Sequence, residues 1–449
     1  MPTSVLWFRR DLRLADNPAL LRAAAGGPVV ALFVLDDALR RAAGPNRLAF
    51  LYRGLRSLDA GTGGRLVVRA GDPAAVVPAV AAEAGAGEVA CAADFGPYGR
   101  RRDEAVAGAL AAGGRSLCRV GSPYAVEPGE VVKADGTPYQ VFTPFHRAWL
   151  ARGWPAPAAP PDGVRWHALG GDGIPEDPPV EAALPEATEA AAHAALDAFV
   201  AGRLSGYAAA RDDPGGDATS RLSPYLKYGL VHPRQVLARL GRGDGAARFR
   251  AELAWREFYA DVLWHEPASA WSALRPGMDA IEFDEGPEAD RRFEAWAAGR
   301  TGYPLIDAGM RQLVAEGWMH NRVRMVTASF LVKDLHLPWQ RGARHFLHHL
   351  VDGDLASNNH GWQWVAGTGT DAAPYFRVFN PVSQGRTFDP DGAYVRRHVP
   401  ELAGLSPRDV HEPWKLPAGP PAGYPLPIVD HAVERKEALR RYGQATPST

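Results

Sequence analysis

The sequence predicts two domains of different class: an α/β N-terminal domain on a parallel five-stranded Rossmann-like sheet, and an all-α C-terminal domain. Three observations predict this. Five short β-branched runs fill the first ~125 residues, with Ala-rich helical segments between them. A stretch rich in proline, alanine and glycine follows, from "WPAPAAPPDG" to about "EDPPVEAALPE", which is linker composition. Beyond it β runs vanish and helical periodicity takes over. The expected divisions are 1–125, 126–190 and 191–449.

The runs are "SVLWFRR", "PVVALFVLD", "GRLVVRAGD", "GEVACAAD" and "SLCRVGS". After the first, Asn17-Pro18 should cap and start a helix: the side-chain oxygen takes an orphan amide and the ring presets the first turn. No GxGxxG follows that strand, which argues against the usual dinucleotide site there. In the helical part, "YPLIDAGMRQLVAEGW" puts Leu305, Ile306, Met310, Leu313 and Val314 on one stripe, with Pro304 near its start and Gly317 at its close. Nine of the 13 tryptophans fall in that part.

A length of 449 residues allows two or three domains with proper cores. No run approaches the ~20 apolar residues of a membrane span, and the N-terminus lacks a secretory pattern. The two cysteines, Cys91 and Cys118, read as reduced core thiols of a cytoplasmic protein. A net charge of −1 argues against a general nucleic-acid coat and leaves room for a local basic patch.

The stretch "DGDLASNNHGWQW", Asp352 to Trp364, crowds carboxylates, amides and indoles together. It is no calcium loop: Ala356, Ser357 and Gln363 stand where ligands and the turn glycine belong. Two helix faces are equally odd. Glu252, Trp255, Arg256 and Tyr259 share one side of a helix, and Asn321, Arg324, Met325 and Ala328 share another. Either a flat polar ligand lies against them or they form a buried salt-bridge network. Thr219, Ser220 and Ser223 precede Pro224, where a helix start could hold a phosphate or simply be capped. His345 and His349 have i, i+4 spacing without a third ligand, so they read as structural and no metal is expected.

"VLWFRRDLRLADNPAL", "TSRLSPYLKYG", "ELAWREFY", "TGYPLIDAGMRQLVAEGWMHNRVRMVTASFLVKD" and "DGDLASNNHGWQWVAGTGTDAAPYFRVFNP" together resemble the photolyase/cryptochrome family, closest to the class I photolyases of cyclobutane pyrimidine dimers. The likeness spans almost the whole chain, in the family's order. It implies a carbon–carbon lyase with an N-terminal antenna domain, a linker and a helical FAD-binding catalytic domain, working with FADH−. It implies that Tyr207, Thr219, Ser220, Arg221, Leu222 and Ser223 hold the FAD phosphates. Phe249, Glu252, Arg256, Asn321, Arg324, Asp352, Gly353 and Asp354 would complete the cofactor site, with Arg324 paired to Asp352. Asn358 would face flavin N5, where an amide can serve either protonation state. Trp362 and then Trp339 would feed electrons inward. Phe283 falls where the family has a third, surface tryptophan, so the chain to the surface could run through Trp296 or Tyr303 instead.

On the substrate side the resemblance implies walls from Trp255 and Trp364, hydrogen bonds to the thymine edges from Glu252 and Asn321, and an apolar contact from Met325. Met325 stands where (6-4) enzymes carry histidine, which favours the cyclobutane dimer. Arg211, Arg256, Arg322, Ser383 and Arg386 are candidates for backbone phosphates. Asp94, Lys227 and Arg47 match antenna positions, and "ADFGPYGRRRD" favours 8-hydroxy-5-deazaflavin over 5,10-methenyltetrahydrofolate. The partner is UV-damaged DNA, with no membrane, and the chain is expected to be a monomer. Rival readings are a blue-light sensor of cryptochrome type, a (6-4) photolyase and a constitutive DNA-binding module.

Overall fold

The computed structural model describes residues 3–161, 163–371 and 377–445; part of the long "DGDLASNNHGWQW…" motif, at 372–376, lies outside them. Five parallel strands form one sheet: β1 (Ser4–Phe8), β2 (Val29–Asp36), β3 (Leu66–Gly71), β4 (Glu88–Cys91) and β5 (Ser116–Arg119), in the order β3-β2-β1-β4-β5. The order reverses between β1 and β4, so the crevice at their carboxyl ends is the natural ligand position of this topology. Helices α1 (Pro18–Ala24), α2 (Asp37–Ala42), α3 (Pro45–Gly61), α4 (Pro73–Glu83) and α5 (Pro97–Ala112) connect the strands. Asn17 caps α1 as expected, its side chain accepting from Leu20 N at 3.1 Å. Cys91 is buried and Cys118, on edge strand β5, is half-buried; both are free thiols.

The remaining helices are α6 (Phe142–Arg152), α7 (Glu189–Gly202), α8 (Tyr207–Ala210), α9 (Ser223–Tyr228), α10 (Pro233–Arg239), α11 (Asp244–His265), α12 (Pro287–Ala297), α13 (Pro304–Glu316), α14 (Asn321–Ser329), α15 (Trp339–His349), α16 (Leu355–Ala366), α17 (Pro381–Phe388), α18 (Ala393–His398) and α19 (His431–Ala445). A five-residue π-turn, Phe330–Asp334, continues α14.

The chain forms two compact units. One comprises Met1–Val180, Leu184–Ser205 and Ser220–Pro267; the other comprises Glu181–Ala183, Gly206–Thr219 and Ala268–Thr449. The boundaries expected at 125 and 190 therefore fall inside the first unit. The reason is polar attachment. Glu257 on α11 accepts from Ala125 N at 2.5 Å, Val126 N at 3.1 Å and the Trp149 indole at 2.6 Å, and Asp261 accepts from Gly129 N at 2.7 Å. The Pro-rich segment lies on the sheet domain, with Asp177 bonded to Arg53 and Arg56.

The second unit is built around Trp296, Ile306, Leu313, Val323, Leu331, Phe346 and Trp362. Here α13 runs as expected from Pro304 to a left-handed Gly317. Leu305, Ile306, Met310 and Leu313 are buried, but Val314, expected on the same stripe, is 39% exposed. It sits at the stripe's edge, one residue past Leu313, which takes the core position.

Candidate active site

On the second unit, the loop before α16 and the helix itself carry most of the expected side chains. Asp354 caps α16, accepting from Ser357 N at 3.1 Å. Asp352, 8% exposed, accepts from Arg324 Nη2 at 2.8 Å through Oδ2, so the expected pair is present. Its Oδ1 is buried with no donor. Arg324 is aimed by a second bond, from Nε to Met319 O at 2.8 Å. Further along α14, Asn321 lies within 3.9 Å of Met325 sulfur, the two forming one half-open edge of the helix. Asn358 donates to Ala343 O at 3.1 Å and to Asn359 Oδ1 at 2.8 Å. Trp364 is half-buried against the unit's core.

Trp362 is buried and packs between α15 and α12. Its ring meets Phe346 at 5.0 Å and Trp296 at 6.1 Å, both edge-on. A Cβ on Gly342 would fall 2.1 Å from Trp362 Cη2, so only glycine lets α15 lie this close to the indole. Trp339 is buried at the start of α15, and Phe283 is half-buried against the unit's main core and against a small cluster of Met278, Ile281 and Tyr442. Trp296, on α12, is thus an indole in direct ring contact with Trp362.

The same unit holds Tyr207, buried under the Arg211 guanidinium at 5.9 Å, and Thr219. Arg211 and Arg322 both reach Asp212, at 3.6 and 3.0 Å, and Arg322 also lies over Phe388. Arg386 pairs with Glu412, one helical turn from Ser383. The helix's other face is a polar seam. Gln363 binds Ser269 O, Ser272 O and Leu274 N, and His360 Nε2 meets Ser269 Oγ at 2.9 Å. Burial lowers His360 to about 4, so it is neutral there. His345 and His349 touch at 4.5 Å between ring centres, and burial holds His345 at about 3. Among the described residues no metal-ligating cluster forms.

On the first unit, Trp255 stacks on Phe142 at 3.7 Å with planes 8° apart. Phe142 was not among the expected residues: nothing local announces a contact made across more than a hundred positions. Glu252, beside Trp255 on α11, lies 3.4 Å from Arg248. Arg256 turns away from this face, donating to Pro123 O and Leu226 O and lying over Tyr124. Phe249 is packed against Phe199 at 4.6 Å in the core. Ser220 accepts from Leu222 N, Arg221 adopts a left-handed φ of 54°, and α9 starts at Ser223 with buried Leu222 in the capping position. Ser223 is therefore the first helical residue rather than the cap. This six-residue helix leaves Ser220 and Ser223 to the loop's own geometry.

At the carboxyl end of β4, Asp94 accepts from Gly96 N and Arg102, both at 3.1 Å. Burial opposes its charge, but Arg102, Arg9 and Arg10 outweigh it and hold the carboxyl below its ordinary range. Gly99 has no room for a Cβ beside that carboxylate. Arg47 reaches Ala42 O, and its own carbonyl accepts from Tyr228, next to Lys227.

Residues 249–444 match the family described as the FAD binding domain of DNA photolyase, and residues 4–162 match DNA photolyase. A deoxyribodipyrimidine photo-lyase of Streptomyces griseus is 46% identical over 99% of this chain and 100% of its own length. The chain belongs to the DNA photolyase family. A bacterial class III photolyase structure from Agrobacterium tumefaciens superimposes with a TM-score of 0.89 at 37% identity, covering 100% of this chain and 98% of the other. An archaeal photolyase from Sulfolobus tokodaii, solved with two FAD molecules, gives 0.86 at 28% identity over 98% and 99% of the two chains. As a photolyase-family member, the chain carries an FAD-binding domain, and the loop and helix Asp352–Trp364 lie within it.

Proposed function

We propose that this chain repairs cyclobutane pyrimidine dimers in DNA with light absorbed by reduced FAD. The observation that carries the reading is the end-to-end likeness to a deoxyribodipyrimidine photo-lyase. The chain's own residues fit the cofactor. Asp352 keeps a buried oxygen that lacks a donor, which a hydroxyl or imide of FAD would supply. The chemistry that bound reduced FAD contributes is light-driven electron donation to the dimer, with return of the electron once the cyclobutane bonds have split.

The protein's part is binding and orientation. Asp352, braced by Arg324, and Asp354 hold the ribose and flavin side, while Tyr207 and the 219–223 segment hold the phosphates. Asn358 would lie toward flavin N5, and Trp362 with Trp339 would supply electrons when the flavin is oxidised. By the family resemblance, Glu252 and Asn321 would read the thymine edges, Trp255 and Trp364 would be apolar walls, and Met325 would be the apolar contact. A dimer can meet such residues only after leaving the duplex, and its damaged stacking makes that step cheaper than for normal bases. Arg211, Arg322, Arg386 and Ser383 bind flanking phosphates. Arg256, already bonded to two main-chain carbonyls, and Phe249, packed on Phe199, are assigned to support rather than contact.

Residues 1–125 are assigned to light harvesting and 191–449 to repair, joined by the 126–190 segment. Asp94, Lys227 and Arg47 would hold an 8-hydroxy-5-deazaflavin antenna. The absorption spectrum of the purified protein tests this against a folate or, as in the Sulfolobus protein, a second FAD. The repair reading is tested by counting dimers in ultraviolet-treated DNA. Loss under blue light and none in darkness is expected; persistence of dimers under illumination with flavin fully reduced would indicate a light sensor instead.

A further inference from the structure

Asn358 and Asn359 are adjacent on α16, and a main-chain carbonyl, which can only accept, orients each amide. Asn359 Nδ2 donates to Ala270 O. Its Oδ1 is thereby turned to Asn358, whose Nδ2 donates to it at 2.8 Å and gives its other proton to Ala343 O at 3.1 Å. Both amide protons of Asn358 are committed, so only its Oδ1, an acceptor, remains for a ligand. The family resemblance leaves that amide able to donate or accept; the hydrogen-bond chain Asn358–Asn359–Ala270 removes the choice.

We propose that Asn359 is a positioning residue that fixes Asn358 as a hydrogen-bond acceptor toward flavin N5, so that the site favours a flavin carrying a proton there. The inference rests on the reading that Asn358 faces N5. Oxidised flavin presents a bare lone pair at N5, which an amide oxygen repels. Two-electron reduction with uptake of one proton puts an N–H at N5, which the same oxygen accepts. Fully buried Asn359 is far better placed to hold this orientation than solvent is. The backbone bearing its anchor is tied to α16 at further points, through Gln363 to Ser269 O and Ser272 O and through His360 to Ser269 Oγ.

The midpoint potential of FAD bound to the full-length protein, titrated with dithionite and redox dyes, tests the proposal. Asn359→Leu removes the acceptor and frees the Asn358 amide to turn. The expected result is a roughly tenfold loss of preference for reduced flavin, read as a fall of about 30 mV. Should Asn359→Leu not retain FAD, Asn359→Ser, too short to reach Asn358, replaces it with the same expectation. An unmoved potential in the Leu or Ser variant overturns the positioning role. Asn358→Ala separates the two levels: if that substitution also leaves the potential unchanged, Asn358 does not face the flavin, and the underlying assignment fails.

Discussion

Asp352 illustrates how one side chain can serve fold and ligand together. One carboxylate oxygen is satisfied by Arg324, and the other is buried without a donor. A hydrogen bond to a charged group contributes about 1.5–3 kcal/mol, so Asp352→Asn should weaken FAD binding by roughly tenfold to a hundredfold. Flavin fluorescence titrated with apoprotein measures this, and an unchanged affinity would remove Asp352 from the cofactor site. The pairing of Arg324 with Asp352 was legible through the family resemblance, which places both residues in the cofactor site. Asn359 and Phe142 were not, because a second asparagine and an ordinary phenylalanine gain their roles only from partners distant in the chain. Arg256 misled for the converse reason: helical spacing put it beside Trp255, and two carbonyls elsewhere in the first unit drew its guanidinium away.

The close passage of α15 over the Trp362 ring depends on position 342. Gly342→Ala would force the indole or the helix aside, and overpacking of this kind costs about 1–3 kcal/mol. The variant should unfold several degrees lower, and its oxidised flavin should photoreduce more slowly under steady light with a reductant. A normal rate would mean that Trp362 does not carry the electron. Helix α11 offers a second prediction, through Glu257. Burial outweighs three N–H donors and raises that carboxyl from 4.5 to about 6. The folded protein therefore binds the proton more tightly than the unfolded chain. Its contribution is complete below pH 4.5 and is lost as pH rises through 6, a change of about 2 kcal/mol. Denaturant unfolding across that window should show the decline in the wild type and a flatter profile in Glu257→Gln; parallel profiles would refute it. Helix positions such as α1 and α13 could be read from capping and periodicity alone. The length of the first unit could not, because it is set by acids on α11 that fasten a segment from much earlier in the chain.

For the molecule as a whole, a net charge of −1 means that DNA must be held by a few local cations rather than by a general field. If Arg211, Arg322 and Arg386 each neutralise one phosphate, the logarithm of affinity should fall with that of salt concentration with a slope of about −2.7. Arg322→Ala should reduce the slope by about 0.9 without changing the preference for damaged over intact DNA. A slope that stays put would exclude Arg322 from the interface. The bonds from Ala125 and Val126 to Glu257 also set a timetable for synthesis. The carboxylate lies 132 and 131 residues downstream of the amides it serves. At ribosomal speeds of about 5–20 residues per second, the nascent segment waits on the order of ten seconds for its acceptor. Water must satisfy those amides meanwhile, and a ribosome stalled before that codon would expose a sheet domain whose trailing strap is still loose.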